Sequence, residues 1–192
     1  MSIQGLDRLR EALRSQKGAI LWQSPFGSPT RATLALLKEG FPVTQVRGPE
    51  HGGAPSLVGQ WIFRKIHRAA EAERLPDIVV IDESSSHYID VLTSRLRDNG
   101  VVSMPGFGPL GRRFLELDFL GGRQYFATGI VSLALVSGAA LIPVFCFRDH
   151  DGSRRLVLEA PVPLRRGGNR QELYRDVLGA HRRLLENYIR QY

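Results

Sequence analysis

The sequence contains one cysteine, Cys146, and only three lysines among its 26 basic residues. A single cysteine excludes an internal disulfide and a cysteine-based metal cluster, and its place in an apolar run predicts a buried structural thiol. Aromatic residues make up only 8% of the chain and are not interleaved with its arginine pairs. We therefore expect neither a nucleic-acid partner nor a bound metal.

Acidic residues are also in the minority, and the formal net charge is +7. Arginine supplies nearly all of the positive charge, in pairs spread along the chain instead of in one tract. A surface of this kind attracts anions, such as an anionic membrane or an acidic carrier protein. A solvated arginine-rich surface with no partner would give the same composition, so both interpretations stay open.

Long hydrophobic runs are rare, and the only uncharged one covers residues 124–147. It is long enough to span a bilayer, but Gly129, Gly138 and Pro143 interrupt it. Its composition predicts a helix over 128–137, a turn at Gly138 and a buried strand over 141–147. The first 18 residues read as a charged amphipathic helix instead of a signal peptide.

Strand and helix patterns alternate along the rest of the chain. Strands are predicted over 19–22, 42–46, 78–81, 101–103 and 114–119, with a hairpin-like segment at 155–159. Helices are predicted over 6–16, 29–39, 57–73, 86–98 and 171–190. This order predicts a single α/β domain over residues 1–192, with a mostly parallel central sheet flanked by helices on both faces.

Residues 18–40, GAILWQSPFGSPTRATLALLKEG, carry the most specific pattern. A buried strand precedes the tight turn Pro25-Phe26-Gly27, and a helix follows. Ser28 is its predicted N-cap, Pro29 its first residue, and Gly40 its end.

This segment resembles the strand–turn–helix of the lipid A (lauroyl/myristoyl) acyltransferase branch of the lysophospholipid acyltransferase superfamily. Further blocks in the expected order extend the resemblance over nearly the whole chain: 40–47, 99–103, Phe119-Leu120-Gly121, Ala127-Thr128-Gly129 and 137–145. The resemblance implies a glycerolipid acyltransferase-like fold. It also implies an acyl thioester of acyl carrier protein or coenzyme A as co-substrate, a lipid or amphiphilic hydroxyl acceptor, and no bound cofactor.

In this family the turn carries an HX4(D/E) motif, whose histidine is the general base on the acceptor hydroxyl and whose acid orients that histidine. Pro25 and Thr30 stand at these two positions here. The family's N-terminal membrane helix is also missing, which implies a cytoplasmic protein, peripheral on the inner membrane. The predicted substrate-binding residues are Ser24, Phe26, Gly27, Ser28, Arg47, Ser103, Gly106, Gly108 and Arg112.

Three other sequence patterns suggest candidate sites. His51 and Asp82 follow two predicted strands, so their loops could face one crevice and form a relocated dyad. His181 and Glu186 spell HX4E, but on a helix they point about 140° apart, and a surface helix is the preferred interpretation. Residues 106–111 spell GxGxxG without the helix that a dinucleotide site needs.

Two functions from different classes remain after this comparison. One is an acyltransferase that works with a relocated base, or by positioning and oxyanion stabilisation alone. The other is a non-catalytic protein that binds a lipid or an acyl carrier and has lost the dyad.

Overall fold

The computed structural model describes residues 1–48, 75–81, 85–106, 113–149, 151–165, 167 and 169–192. The strands are β1 Ser2–Gln4, β2 Ala19–Gln23, β3 Val43–Arg47, β4 Ile78–Val80, β5 Val101–Pro105, β6 Phe114–Phe119, β7 Gly122–Ala127, β8 Ala140–Arg148 and β9 Arg154–Leu158. The helices are α1 Leu6–Arg14, α2 Pro29–Lys38, α3 His87–Arg97, α4 Gly129–Ser137 and α5 Arg170–Gln191. The helix predicted over 57–73 lies outside the described residues.

A seven-stranded sheet in the order β1-β9-β8-β2-β5-β3-β4 organises these elements. The strands from β8 to β4 in this order pair in parallel, β9 runs antiparallel to β8, and β1 lies parallel to β9. The predicted α/β fold with a mostly parallel sheet is confirmed.

The two faces of the sheet bury separate clusters of apolar side chains. Ile20 and Trp22 of β2 pack with α3, α4 and α5, whereas Ala19 and Leu21 pack with α1 and α2. The alternation follows from the two-residue period of a strand. Helices therefore cover both faces, as predicted.

The N-terminus and the middle of the chain differ from the prediction. The first strand is Ser2–Gln4 at the sheet edge, not the strand over 19–22, whereas α1 begins at Leu6 as predicted and ends at Arg14. Another strand that was not predicted, β7, pairs antiparallel with β6 in a separate two-stranded sheet. Both strands were missed because neither shows a clean alternation: β1 has three residues, and most of β7 is exposed.

The uncharged run 124–147 is divided between β7, α4 and β8, with Gly138 at a φ of 75° after the last turn of α4. Within the described ranges, no helix combines the length and the apolar character needed to cross a membrane. The interpretation of this run as a helix, a turn and a buried strand is confirmed.

Asn99 joins three elements at the amino edge of the sheet. Its backbone has a φ of 58°. Its Oδ1 accepts a hydrogen bond from the Gly18 amide at 3.0 Å, and its Nδ2 donates to the Leu13 carbonyl at 3.0 Å. The side chain thereby connects the end of α1, the start of β2 and the turn after α3.

Two substitutions of Asn99 distinguish the stability contributed by its hydrogen bonds from the cost of its backbone conformation. Asn99→Gly keeps a residue that tolerates positive φ but loses two hydrogen bonds, and we expect it to lower the free energy of unfolding by about 2 kcal/mol. Asn99→Ala adds the left-handed strain, about 1 kcal/mol more. Urea unfolding at constant m-value measures both variants. Equal losses would show that the positive φ carries no strain.

Candidate active site

The candidate site lies at the carboxyl edge of the sheet, where β2 and β5 end side by side with Gln23 opposite Pro105. From β2 the chain passes to β3, beyond β5, and from the β5 side it returns to β8, beyond β2. Connections that leave neighbouring strands in opposite directions open a crevice between them, and this is where open α/β sheets bind ligands.

The turn after β2 packs directly on β8. Gly27 has a φ of 70°, and a Cβ there would stand 2.4 Å from the Cys146 carbonyl oxygen, so only glycine fits. The Phe26 ring packs against Phe145 and Phe147, with centroids 5.9 and 5.3 Å apart. Pro25 between β2 and this contact is exposed. Packing on β8 therefore fixes the turn, while its first residue, Pro25, faces solvent.

The start of α2 agrees with the sequence prediction in position but not in side-chain detail. Ser28 is the N-cap and Pro29 follows it, yet the Ser28 hydroxyl makes no capping hydrogen bond. Its carbonyl oxygen instead accepts from the amides of Arg31 and Ala32 at 3.1 and 3.2 Å. Thr30 is half-buried in the first helical turn. The two motif positions thus hold no titratable group.

Beneath this turn lies a buried network of neutral polar side chains. Ser103 Oγ accepts a hydrogen bond from Gln23 Nε2 at 3.1 Å and donates to Gln45 Oε1 at 3.2 Å. The Thr33 hydroxyl donates to Gln45 Oε1 and lies 3.3 Å from Ser103 Oγ. All four residues are at most 5% exposed. Mutual hydrogen bonding offsets the desolvation of these groups.

This network changes the interpretation of Ser103. It was predicted to line the crevice, but its side chain is fully buried and supports the strands below the turn. Gln23, Thr33 and Gln45 were not singled out in the sequence. Polar residues within the buried β2 and β3, together with one in α2, are the signal that could have found them.

Two of the predicted residues, Ser24 and Gly106, lie at buried polar atoms that have no hydrogen-bond partner among the described residues. Ser24 is buried, and its Oγ has no hydrogen-bond partner among the described residues. Gly106 lies against the edge of Trp22, where a Cβ would stand 1.7 Å from the indole Nε1. That Nε1 also lacks a partner within the described part of the chain. Gly106 therefore allows the segment after β5 to approach the indole.

His181 packs under the site, contrary to its interpretation as part of a surface helix. Its ring stacks on Trp22 with centroids 3.7 Å apart, and it is fully buried. Burial lowers its pKa from 6.5 to about 3, so the imidazole is neutral at pH 7. Glu186 instead accepts a hydrogen bond from the Leu120 amide. As predicted, the two residues form no common site.

The buried position of His181 was visible in the spacing of its neighbours. Leu178 and Leu185 lie three and four residues from it, Tyr174 and Tyr188 lie seven residues from it, and together they make the inner stripe of α5. The HX4E match of His181 and Glu186 is a local pattern and carries no information on this periodicity. His87, by contrast, is exposed as predicted.

Arg47 ends β3 and is half-buried at the same edge of the sheet. The remaining predicted residues, His51, Asp82, Gly108 and Arg112, lie outside the described residues. β3 and β4 pair in parallel with Arg47 opposite Val80, and the Ile81 amide donates to the Arg47 carbonyl at 2.8 Å. The segments that continue to His51 and Asp82 therefore leave the sheet from adjacent strand ends.

An apolar groove of about 260 Å³ extends from this edge between α3 and α4. Its walls are mostly carbon: Tyr88, Ile89 and Leu92 from α3, and Gly129, Leu133 and Val136 from α4. Met104, next to last in β5, also lines the groove, and Arg113, Thr128 and Ser132 add polar groups to it. The groove thus joins an apolar slot to a polar strand edge.

No group of three or more His, Cys, Asp or Glu side chains in the described ranges is arranged to hold a metal ion. What the described site offers is a shaped turn, neutral hydrogen-bonding groups and an apolar groove. Such a site can bind and orient an amphiphile. A general base is not among the side chains described at positions 24–30.

Fold and site together define an α/β protein with a polar crevice at the carboxyl edge of its sheet and an apolar groove beside it. The chain belongs to the bacterial lipid A biosynthesis acyltransferase family, whose family model matches residues 1–177. The resemblance seen in the sequence motifs is therefore confirmed over most of the chain.

Two mycobacterial relatives are called phosphatidylinositol mannoside acyltransferase. The one from Mycolicibacterium smegmatis is 26% identical over 152 residues, which is 79% of this chain and 47% of the relative. The one from Mycobacterium tuberculosis H37Rv is 28% identical over 150 residues, 78% of this chain and 45% of the relative. The chain thus spans about half the length of the curated relatives it matches.

The buried imidazole predicts an acid-sensitive fold. Unfolded His181 takes up a proton near pH 6.5, whereas the folded chain takes it up only near pH 3. The unfolded state binds more protons between these values, so stability falls by about 1.4 kcal/mol per pH unit on acidification through this window. His181→Phe keeps an aromatic ring on Trp22 and should remove this contribution.

Denaturant unfolding of the wild type and His181→Phe at several pH values between 7 and 3 measures the difference. We expect the variant to gain stability relative to the wild type as the pH falls below 6.5. His87→Phe removes an exposed histidine and serves as the control. Parallel pH curves for the wild type and His181→Phe would refute the buried neutral imidazole.

Proposed function

We propose that this chain binds an acyl thioester and an amphiphilic hydroxyl acceptor at the carboxyl edge of its sheet and transfers the acyl chain slowly. Membership of the acyltransferase family supports the reaction class. The thioester is the co-substrate, presented by acyl carrier protein or coenzyme A, and the acceptor is a lipid.

The observation that carries the proposal is the apolar groove between α3 and α4. Met104 lines it near the end of β5, and β5 pairs with β2, the strand that precedes the family turn. Each methylene that leaves water for such a groove contributes about 0.8 kcal/mol. A long acyl chain is therefore held with its thioester end near the crevice.

Slow transfer follows from the residues at the two motif positions. An alcohol is hardly ionised at neutral pH, and neither Pro25 nor Thr30 can take its proton. A positioned base contributes typically about 10²–10⁴ in rate. The buried Gln23–Thr33–Gln45–Ser103 network below the turn is neutral too, so it supplies positioning instead of proton transfer.

The same neutral site favours a second candidate, a non-catalytic protein that binds acyl carrier protein or lipid. A third arrangement, with His51 as base and Asp82 as its acid, draws support from the adjacent ends of β3 and β4. The three candidates differ in turnover. Slow transfer predicts turnover that does not depend on His51, the binding protein predicts none, and the relocated dyad predicts turnover that His51→Ala abolishes. Release of free thiol from acyl thioesters in the presence of lipid acceptors distinguishes them.

Restoring the family motif tests whether the dyad alone limits the rate. Pro25→His with Thr30→Glu is expected to raise thiol release by about 10²–10⁴-fold, because it supplies a base and the acid that orients it. Thr30→Glu alone is the matched control and should leave the rate unchanged. No increase in the double variant, despite retained thioester binding, would refute slow transfer and favour the non-catalytic candidate.

The groove itself is tested by filling it. A Cβ at Gly129 would have open space around it, so Gly129→Leu places a side chain in the groove without a backbone clash. We expect it to weaken binding of a long-chain acyl thioester by tenfold or more and to spare a short-chain one. Gly129→Ala is the small control. Equal losses for both chain lengths would contradict the assignment of this groove.

A further inference from the structure

The tip of the β6–β7 hairpin has an unusual residue for its backbone. Leu120 and Gly121 connect the strands with φ values of 49° and 81°. Two successive positive φ values are the requirement of a type I′ turn, where Asn-Gly is preferred and leucine is strained. Leu120 is also 45% exposed. Neither backbone geometry nor internal packing explains leucine at this position.

The tip is held firmly against α5. Glu186 accepts a hydrogen bond from the Leu120 amide at 3.1 Å, and Arg182 donates to the Asp118 carbonyl at 2.8 Å. An exposed, strained side chain on a fixed support points to a contact outside the molecule.

Beside the hairpin, a groove of about 580 Å³ runs along the outer side of α5. Arg165, Arg175, Arg182 and Arg183 line it, against two carboxylates, Asp118 and Asp176, and its remaining walls are largely apolar. None of the carboxylates in the described ranges lies within ion-pair distance of Arg165, Arg175 or Arg183.

Gly179 keeps this groove open in the middle of α5. Glycine weakens a helix relative to alanine, and a Cβ here would make only an ordinary contact, 3.7 Å from Arg183 Nη1. The fold therefore does not require glycine at this position. A ligand that lies across the helix here would require it, because a side chain would occupy the same space.

We propose that the hairpin tip and the outer side of α5 together form the surface that docks on an anionic bilayer. Leu120 enters the apolar interface, and the arginine groove receives a lipid phosphate, for which the guanidinium fork is well suited. The net charge of +7 adds a long-range attraction to the same anionic surface. A bilayer is the partner that offers both an apolar layer and a dense row of anions.

The docking surface and the candidate active site share one end of α5. Tyr188, one half-turn after Glu186, lies 4.2 Å from the Phe145 ring, on which Phe26 of the site packs. Residues two apart on a helix point about 200° apart, so the hairpin tip and the candidate site contact this end of α5 from opposite sides. This inference deepens the proposed function, because it names the surface from which a lipid acceptor would be taken.

Co-sedimentation with vesicles tests the surface without any acyl donor. Mixed phosphatidylcholine–phosphatidylglycerol vesicles are compared with phosphatidylcholine alone, at low and high salt. We expect binding to the anionic vesicles that weakens as salt rises. Gly129→Leu should bind like the wild type, so failure of acyl transfer and failure of docking are separate results.

The sharpest variant is Leu120→Asn. Asparagine suits the turn, so thermal stability should be kept or raised while binding to anionic vesicles falls about tenfold, since the apolar side chain is lost. Val80→Thr changes an exposed apolar residue on the edge strand β4 and should bind like the wild type. Unchanged binding of Leu120→Asn would overturn the proposal.

The arginines are tested as a pair. Arg175→Gln with Arg183→Gln should lower binding about fivefold for each arginine and reduce its salt dependence. Arg97→Gln with Arg154→Gln removes the same charge from other surfaces and should have a smaller effect. Equal losses in the two pairs would show attraction by net charge alone and would overturn the assigned surface. Sensitivity to the arginines without sensitivity to Leu120 would show electrostatic attachment without insertion of the hairpin tip and would overturn it as well.

Discussion

The packing of Trp22 is the constraint on which the rest of the structure depends. Its indole lies fully buried in β2, the strand between β5 and β8, and two other parts of the chain pack on it. His181 stacks on the ring from α5, and Gly106 lies against its edge after β5. A ring of this size, enclosed on these sides, determines where α5 and the segment after β5 can lie. The crevice at the carboxyl edge is shaped by the same contacts.

The aromatic contacts continue from this ring toward the outer end of α5. Phe145 lies 6.3 Å from His181 and 4.2 Å from Tyr188, and Phe147 stacks on Tyr192 at 4.4 Å. Such pairs add about 0.5–1.5 kcal/mol each beyond the area that they bury. They connect the turn at Phe26 with the C-terminal helix, so the position of the turn depends on residues at the far end of the chain.

Neutral side chains make up the turn of the candidate site and the layer beneath it. Pro25 and Thr30 hold no titratable group, and the side chains of the Gln23–Thr33–Gln45–Ser103 network below the turn are neutral as well. A charge introduced beneath the turn would be costly, because the network is buried and already hydrogen-bonded. Binding and orientation of an amphiphile need no such charge. The chain thus belongs to an acyltransferase family and has no titratable side chain at positions 25 and 30.

Local pattern was sufficient for much of this architecture. The apolar runs at β2 and β8, the proline and glycine limits of α2, and Gly138 after α4 follow from sidechain periodicity and backbone preference, which act over a few residues. These signals also located the Pro25–Thr30 turn at a strand end. Tertiary structure alone decided the pairing of β1 with β9, the β6–β7 hairpin, the burial of Ser103 and the stacking of His181 on Trp22. Each of these depends on a partner distant in sequence, and burial by such a partner leaves no mark in the local pattern beyond a weak helical stripe.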